Sequence, residues 1–155
     1  MIWRQTSKLA CRLYQVKPIK WNKKKTKMNL ALWILQGLLA VAFLMAGLMK
    51  ASKSKEALKE QGGERMAWVD DVSDSNLRLI GILEVLAGIG LILPQLTGIL
   101  PWLTPLAAVG LVLTMIGAIT LHVRRGDGAQ AIVPTVILLL MAAFVAYGRF
   151  VLVPA

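Results

Sequence analysis

The sequence predicts an all-α integral membrane protein, a bundle of four transmembrane helices, and three observations lead there. Of 155 residues, 57% are hydrophobic, and the mean hydropathy is +0.64, an excess over the roughly half expected of a soluble domain. The apolar residues gather into four blocks separated by charged or Pro-rich breaks, each near the ~20 residues that cross a hydrocarbon core. The net charge of +10 is unevenly placed: nine of the eighteen Lys and Arg precede residue 28. Basic residues beside a membrane span suit anionic lipid head groups and topology, so the expected partner is the lipid bilayer and not nucleic acid.

Residues 1–27 form a leader with nine basic residues and no acid, densest in "KPIKWNKKKTK". It reads as a flexible anchor arm, a transit-like leader, or an extension upstream of a start at Met28. Residues 28–150 form the four-helix membrane domain, and 151–155 a short tail. The first span covers residues 30–49 and ends at Lys50. A charged loop follows, with "ASKSKEALKEQ" helix-like and "GGERMAWVDDVSDSN" turn-rich; Asp74 or Ser75 is the expected cap of the next helix. The second span covers residues 77–93 and stops at Pro94. The uncharged loop "PQLTGILPWLTP" places Trp102 at head-group level. The third span, 103–122, ends at "RRGDG"; the fourth, 129–147, precedes Arg149.

Four spans return the chain to its starting side. Side A holds the leader, the uncharged loop and the C-terminus; side B holds the charged loop and the "HVRRGDG" turn. Side B has seven basic residues outside the spans, among them the topology candidates Arg124 and Arg125, against ten on side A. The positive-inside bias thus favours side A in the cytoplasm. Counted from Met28, side A keeps only Arg149 and the bias reverses.

The candidate polar site follows from Glu84, a carboxylate seven residues into the second span and thus ~10 Å along its axis. A charge at the helix centre costs ~2.5–3.5 kcal/mol on insertion scales, so such residues face inward and have partners. Lys50, Arg78 and His122 all reach the membrane from side B and are the candidates. Gly81, Glu84, Gly88, Leu91 and Gln95 share one face of the second span. Gln36, Phe43, Gly47 and Lys50 share a face of the first, and Gly110, Thr114, Gly117 and Leu121 one of the third. Small residues mark where transmembrane helices approach, so Gly47, Gly81, Gly88, Gly110 and Gly117 are expected packing positions, with Gln36 an interhelical donor. Glu84 then serves either as structural glue or as a proton or ligand site.

The chemistry open to the chain is narrow. One cysteine, Cys11, allows no intrachain disulfide, and one histidine, His122, cannot build a two-His haem or three-His metal centre. No metal site is expected. "GILEVLAGIG" lies inside an apolar span and not after a strand, which excludes a nucleotide loop.

In order and spacing, "FLMAGLMK", "RLIGILEVLAGIGLILP", "PWLTPLAAVGLVLTMIGAITLHVRRG" and "AFVAYGRF" resemble the DoxX-like family of small four-helix bacterial membrane proteins. The resemblance covers residues 28–150 and implies a multi-pass protein of the bacterial inner membrane. The family's name-giving members are associated with a membrane thiosulfate:quinone oxidoreductase. This implies an accessory or ligand-binding subunit of a redox- or quinone-linked complex, without catalytic activity of its own, with a membrane or peripheral redox partner. Quinone is the one cofactor so suggested. The rival expectation is a small proton-coupled transporter using Glu84, which four spans would build as a homo-oligomer. An enzyme acting on lipidic substrates would want a second intramembrane acid, and the sequence has none.

Overall fold

The computed structural model describes residues 23–154. The basic leader up to residue 22, with Cys11, and the last residue of the tail lie outside the described residues. Among the described residues there are five α-helices: α1 (Lys23–Ser52), α2 (Lys55–Gly62), α3 (Asp74–Thr97), α4 (Leu103–Arg125) and α5 (Ala129–Tyr147). A 3₁₀ segment (Gly63–Asp71) follows α2, and a π-helical turn (Gly148–Leu152) follows α5. No strand occurs among the described residues. α1, α3, α4 and α5 with its π turn are long and apolar enough to cross a membrane, and they form the predicted four-helix bundle.

Boundaries differ from expectation at the basic leader and at Pro94. α1 includes the leader residues 23–27, because lysines are good helix formers and the helix dipole and the like charges of Lys23 and Lys27 oppose them only weakly. α3 passes through Pro94 and ends at Thr97, where Gly98 takes the left-handed conformation. Proline removes one donor, the one that would reach the Gly90 carbonyl, but not those of the residues after it. The cap of α3 is Ser73, whose hydroxyl accepts from the Asn76 amide at 3.3 Å, one residue ahead of the expected pair.

The four spanning helices alternate in direction, with α1 on α3, α3 on α4 and α4 on α5, and α1 meets α5 more lightly. The core is built from Leu39, Ala40 and Phe43 of α1, Leu91 of α3, Ala108, Leu111 and Met115 of α4, and Ala142, Val145 and Ala146 of α5. Outward faces are apolar as well: Leu30, Ile34, Leu38, Val41, Met45 and Leu48 run down α1 fully or half exposed. An apolar face this long is a liability in water and the required surface in lipid. A smaller cluster, Leu58, Val69 and Leu77 with Met49, Met66 and Trp68, seats the 3₁₀ segment across the side B end of the bundle.

The closest approach is between α1 and α3. A Cβ at Gly47 would lie 2.6 Å from the Gly81 carbonyl oxygen, and one at Gly81 2.7 Å from the Ala51 amide. Gly88 packs against the Leu44 side chain and the Ala40 carbonyl. Gly110 and Gly117 differ from the expectation: a Cβ at either meets nothing within 4 Å. On α4 the buried stripe is set by the larger Leu111 and Met115 and runs from Thr104 to His122, leaving those two glycines beside it.

The two kinds of glycine make opposite expectations. Gly47→Ala should destabilise the bundle by ~1–3 kcal/mol, since the overlap is with backbone that cannot yield. Gly110→Ala should be neutral or stabilising by up to ~1 kcal/mol. Thermal unfolding of both variants in the same detergent checks the contrast.

Candidate functional site

Gly47 and Gly81 bring two charged groups together. α1 and α3 run antiparallel, and side chains lean toward the N-terminus of their own helix. Lys50, three residues past Gly47, therefore leans toward side A. Glu84, three residues past Gly81, leans toward side B, and the two meet. Lys50 Nζ lies 2.6 Å from Glu84 Oε1 and 2.8 Å from Oε2. The Glu84 side chain is 1% exposed and that of Lys50 14%. Both carboxylate oxygens thus accept from one ammonium, which also lies 5.6 Å from the Trp68 ring centroid, within cation–π range.

The pair forms one wall of a cavity of about 520 Å³ between the helices. Phe43, Ile80, Met115 and Leu138 supply apolar wall, and Thr114 and Thr135 add hydroxyls. Met66 and Trp68 of the 3₁₀ segment line it from side B. His122 lines it too, with its ring 78° to the Trp68 ring at 6.5 Å between centroids.

The end of α4 orients His122. Gly126, left-handed at φ 73°, turns the chain so that the Asp127 amide donates back to the His122 carbonyl at 3.0 Å. This six-to-one closure is the Schellman arrangement. It returns the Asp127 carboxylate to the ring of His122, with Nδ1 2.7 Å from Oδ2. Nδ1–H donating to that carboxylate leaves Nε2 of a neutral ring as an acceptor. Arg125 Nε lies 3.3 Å from both Asp127 oxygens, and Arg125 also pairs with Asp71 at the end of the 3₁₀ segment. The hydrogen bond from His122, then the Arg125 charge, hold the Asp127 carboxyl below the usual range.

Of the four residues singled out in the sequence, the structure brings Lys50 and Glu84 into contact and sets His122 on the same cavity. Arg78 is elsewhere. It is exposed on α3 and borders a polar surface cleft with Lys55, Asp70 and Asp74, because six residues from Glu84 it faces another direction. Arg124 is exposed, whereas Arg125 ties the 3₁₀ segment to α4. Trp68, Asp71 and Asp127 belong to the site and were not legible. Their roles depend on a 3₁₀ turn and a helix cap that apolar spacing does not encode. Among the described residues no group of three or more His, Cys, Asp or Glu side chains is placed to hold a metal.

At the opposite end, Gln36 Nε2 donates to the Leu91 carbonyl at 2.6 Å and its Oε1 accepts from Arg149 Nε at 2.7 Å. One amide thereby ties α1 to α3 and to the π turn.

Removing one member of a buried ion pair strands the other. Glu84→Leu and Lys50→Met should each cost ~3–5 kcal/mol, and the double variant should regain most of the loss. Equilibrium unfolding in mixed micelles reads the coupling directly. Asp127 has a folded-state value below its ordinary ~3.9. Its link to His122 and Arg125 therefore stabilises fully above that value and is lost as pH falls through the depressed one. Thermal stability should begin to fall as pH drops toward the ordinary carboxylate value of ~3.9 and go on falling below it, with a shallower fall in Asp127→Asn.

The sequence matches the DoxX-like family over residues 34–144, a stretch that contains Lys50, Glu84, His122 and the whole cavity wall. No curated protein and no solved structure matches the chain. With four membrane-spanning helices and a family match over most of its length, the chain is a membrane protein of the DoxX-like family.

Proposed function

We propose that this protein binds a lipidic small molecule in the cavity between its helices, with the Lys50–Glu84 pair anchoring the polar head of the ligand. The observation behind this reading is a desolvated ion pair on the wall of a cavity of about 520 Å³ that is otherwise mostly apolar. Pockets of this size, apolar with a few convergent polar groups, are the usual form of small-molecule sites. Lys50 has three donors and Glu84 occupies two acceptor positions around them. The remaining donor suits a carbonyl or carboxylate oxygen. His122 Nε2 suits a hydroxyl across the cavity. A quinone head group carries oxygens of the first kind and its reduced form hydroxyls of the second. The accessory, quinone-linked role in a bacterial inner membrane rests on the ligand belonging to that class.

Proton-coupled transport is the second reading, since Glu84 borders the cavity. It would require Glu84 to exchange Lys50 for a proton in every cycle. Proton-dependent flux in proteoliposomes that disappears in Glu84→Gln would favour it.

Ligand binding is tested by purification in mild detergent, solvent extraction and mass spectrometry, followed by titration of a short-chain quinone by isothermal calorimetry. Ala118→Trp puts an indole into the cavity and should weaken binding at least tenfold, roughly 1.4 kcal/mol. Unchanged binding in that variant would remove the cavity as the site.

A further inference from the structure

Arg149 is 1% exposed, one of the most deeply buried polar side chains of the described residues. Its Nε donates to Gln36 Oε1 and its Nη1 to Asn29 Oδ1, each at 2.7 Å. The guanidinium lies 5.4 Å from the Trp33 ring centroid. Its Nη2 is buried and has no hydrogen-bond partner among the described residues. All these partners are neutral. A guanidinium keeps its charge at neutral pH, and a buried charge calls for an opposite one.

The chain has no acidic side chain to supply at this end. All eight Asp and Glu residues lie between positions 56 and 127, in the charged loop, α3 and the α4–α5 turn. None precedes residue 56 or follows residue 127. Side A is instead purely basic. Lys23, Lys24, Lys25 and Lys27 occupy the first turns of α1, and Lys25 sits one turn before Asn29 on the same face. The π turn sets the direction of Arg149. The Val153 amide bonds the Gly148 carbonyl at 2.8 Å, and Gly148 packs flush on Leu32 where a Cβ would collide. Single π turns recur at functional positions of helices.

We propose that Arg149 is the inner half of a binding site for a phosphate-bearing anion, supplied as the headgroup of an anionic lipid in the side A leaflet. The planar fork of the guanidinium matches a phosphate in two parallel bonds, and the α1 lysines add attraction at the rim. Nη2 is covered in this conformation. Engagement therefore includes a local opening at the π turn that carries Arg149. The site is separate from the Lys50–Glu84 cavity and does not depend on what that cavity binds.

The test is native mass spectrometry and thermal shift of the delipidated full chain with phosphatidylglycerol or phosphatidylcholine. The wild type should retain phosphatidylglycerol selectively and gain Tm from it. Arg149→Gln should weaken that binding at least ~10-fold. Replacing Lys23, Lys24, Lys25 and Lys27 together by Gln should weaken it less and keep the selectivity. No preference in the wild type, or an undiminished one in Arg149→Gln, overturns the proposal. Should Arg149→Gln fail to fold, Arg149→Lys, which keeps the charge without the fork, is measured in its place. Stabilisation by inorganic phosphate equal to that by the lipid overturns the lipid as source. In a chain lengthened after Ala155 by a short neutral segment the preference should be unchanged. A preference found only in that chain assigns Arg149 to the terminal carboxylate and overturns the proposal.

Discussion

The ion pair between Lys50 and Glu84 depends on, and in turn fixes, the approach of α1 to α3. Two charges within an apolar bundle are tolerable only when they meet at hydrogen-bond distance. They meet at 2.6 Å because Gly47 and Gly81 let the backbones touch. A slip of one helical turn, 5.4 Å, would separate them and drive Cβ atoms into the glycine contact. Hydrophobic packing alone tolerates such slips poorly in water and more readily in lipid, where the alternative surroundings are equally apolar. The pair supplies the axial register that oil cannot.

Polar ties divide the bundle into two dissimilar ends. On side B two polar groups, Glu84–Lys50 and His122–Asp127–Arg125–Asp71, lie on either side of the Trp68 ring. On side A the amide of Gln36 joins α1, α3 and α5 through neutral groups and one guanidinium. Surface pairs such as Lys59–Asp70 contribute little to stability. The ties within the helices, by contrast, determine which faces turn inward.

Much of this architecture was legible. Four spans, their order and the inward face of α3 follow from the spacing of Gly81, Glu84, Gly88 and Leu91, and Lys50 was among the expected neighbours of Glu84. What failed to read depends on backbone geometry without a 3.6-residue period. Arg149 looks like an ordinary boundary arginine after "AFVAYG" until the π turn rotates it inward. Asp127 becomes a histidine partner only through the left-handed Gly126. Gly110 and Gly117 were read as contacts by analogy with the α3 glycines. Small size permits an approach, but the bulk of Leu111 and Met115 on the next face decided where α4 leans. Pro94 does not stop α3 because the amides of Gln95, Leu96 and Thr97 keep their donors.

The 3₁₀ segment gives the cavity two boundaries that answer to different surroundings. Its roof is held to α4 by the Arg125–Asp71 pair at the water-facing edge, where dissolved ions weaken attraction over a Debye length of ~8 Å. Its walls are helices whose outer surfaces press on acyl chains. Ionic strength in the aqueous phase and thickness or lateral pressure in the bilayer therefore act on the same cavity through separate mechanical elements, one hinged by charge and the other by fit.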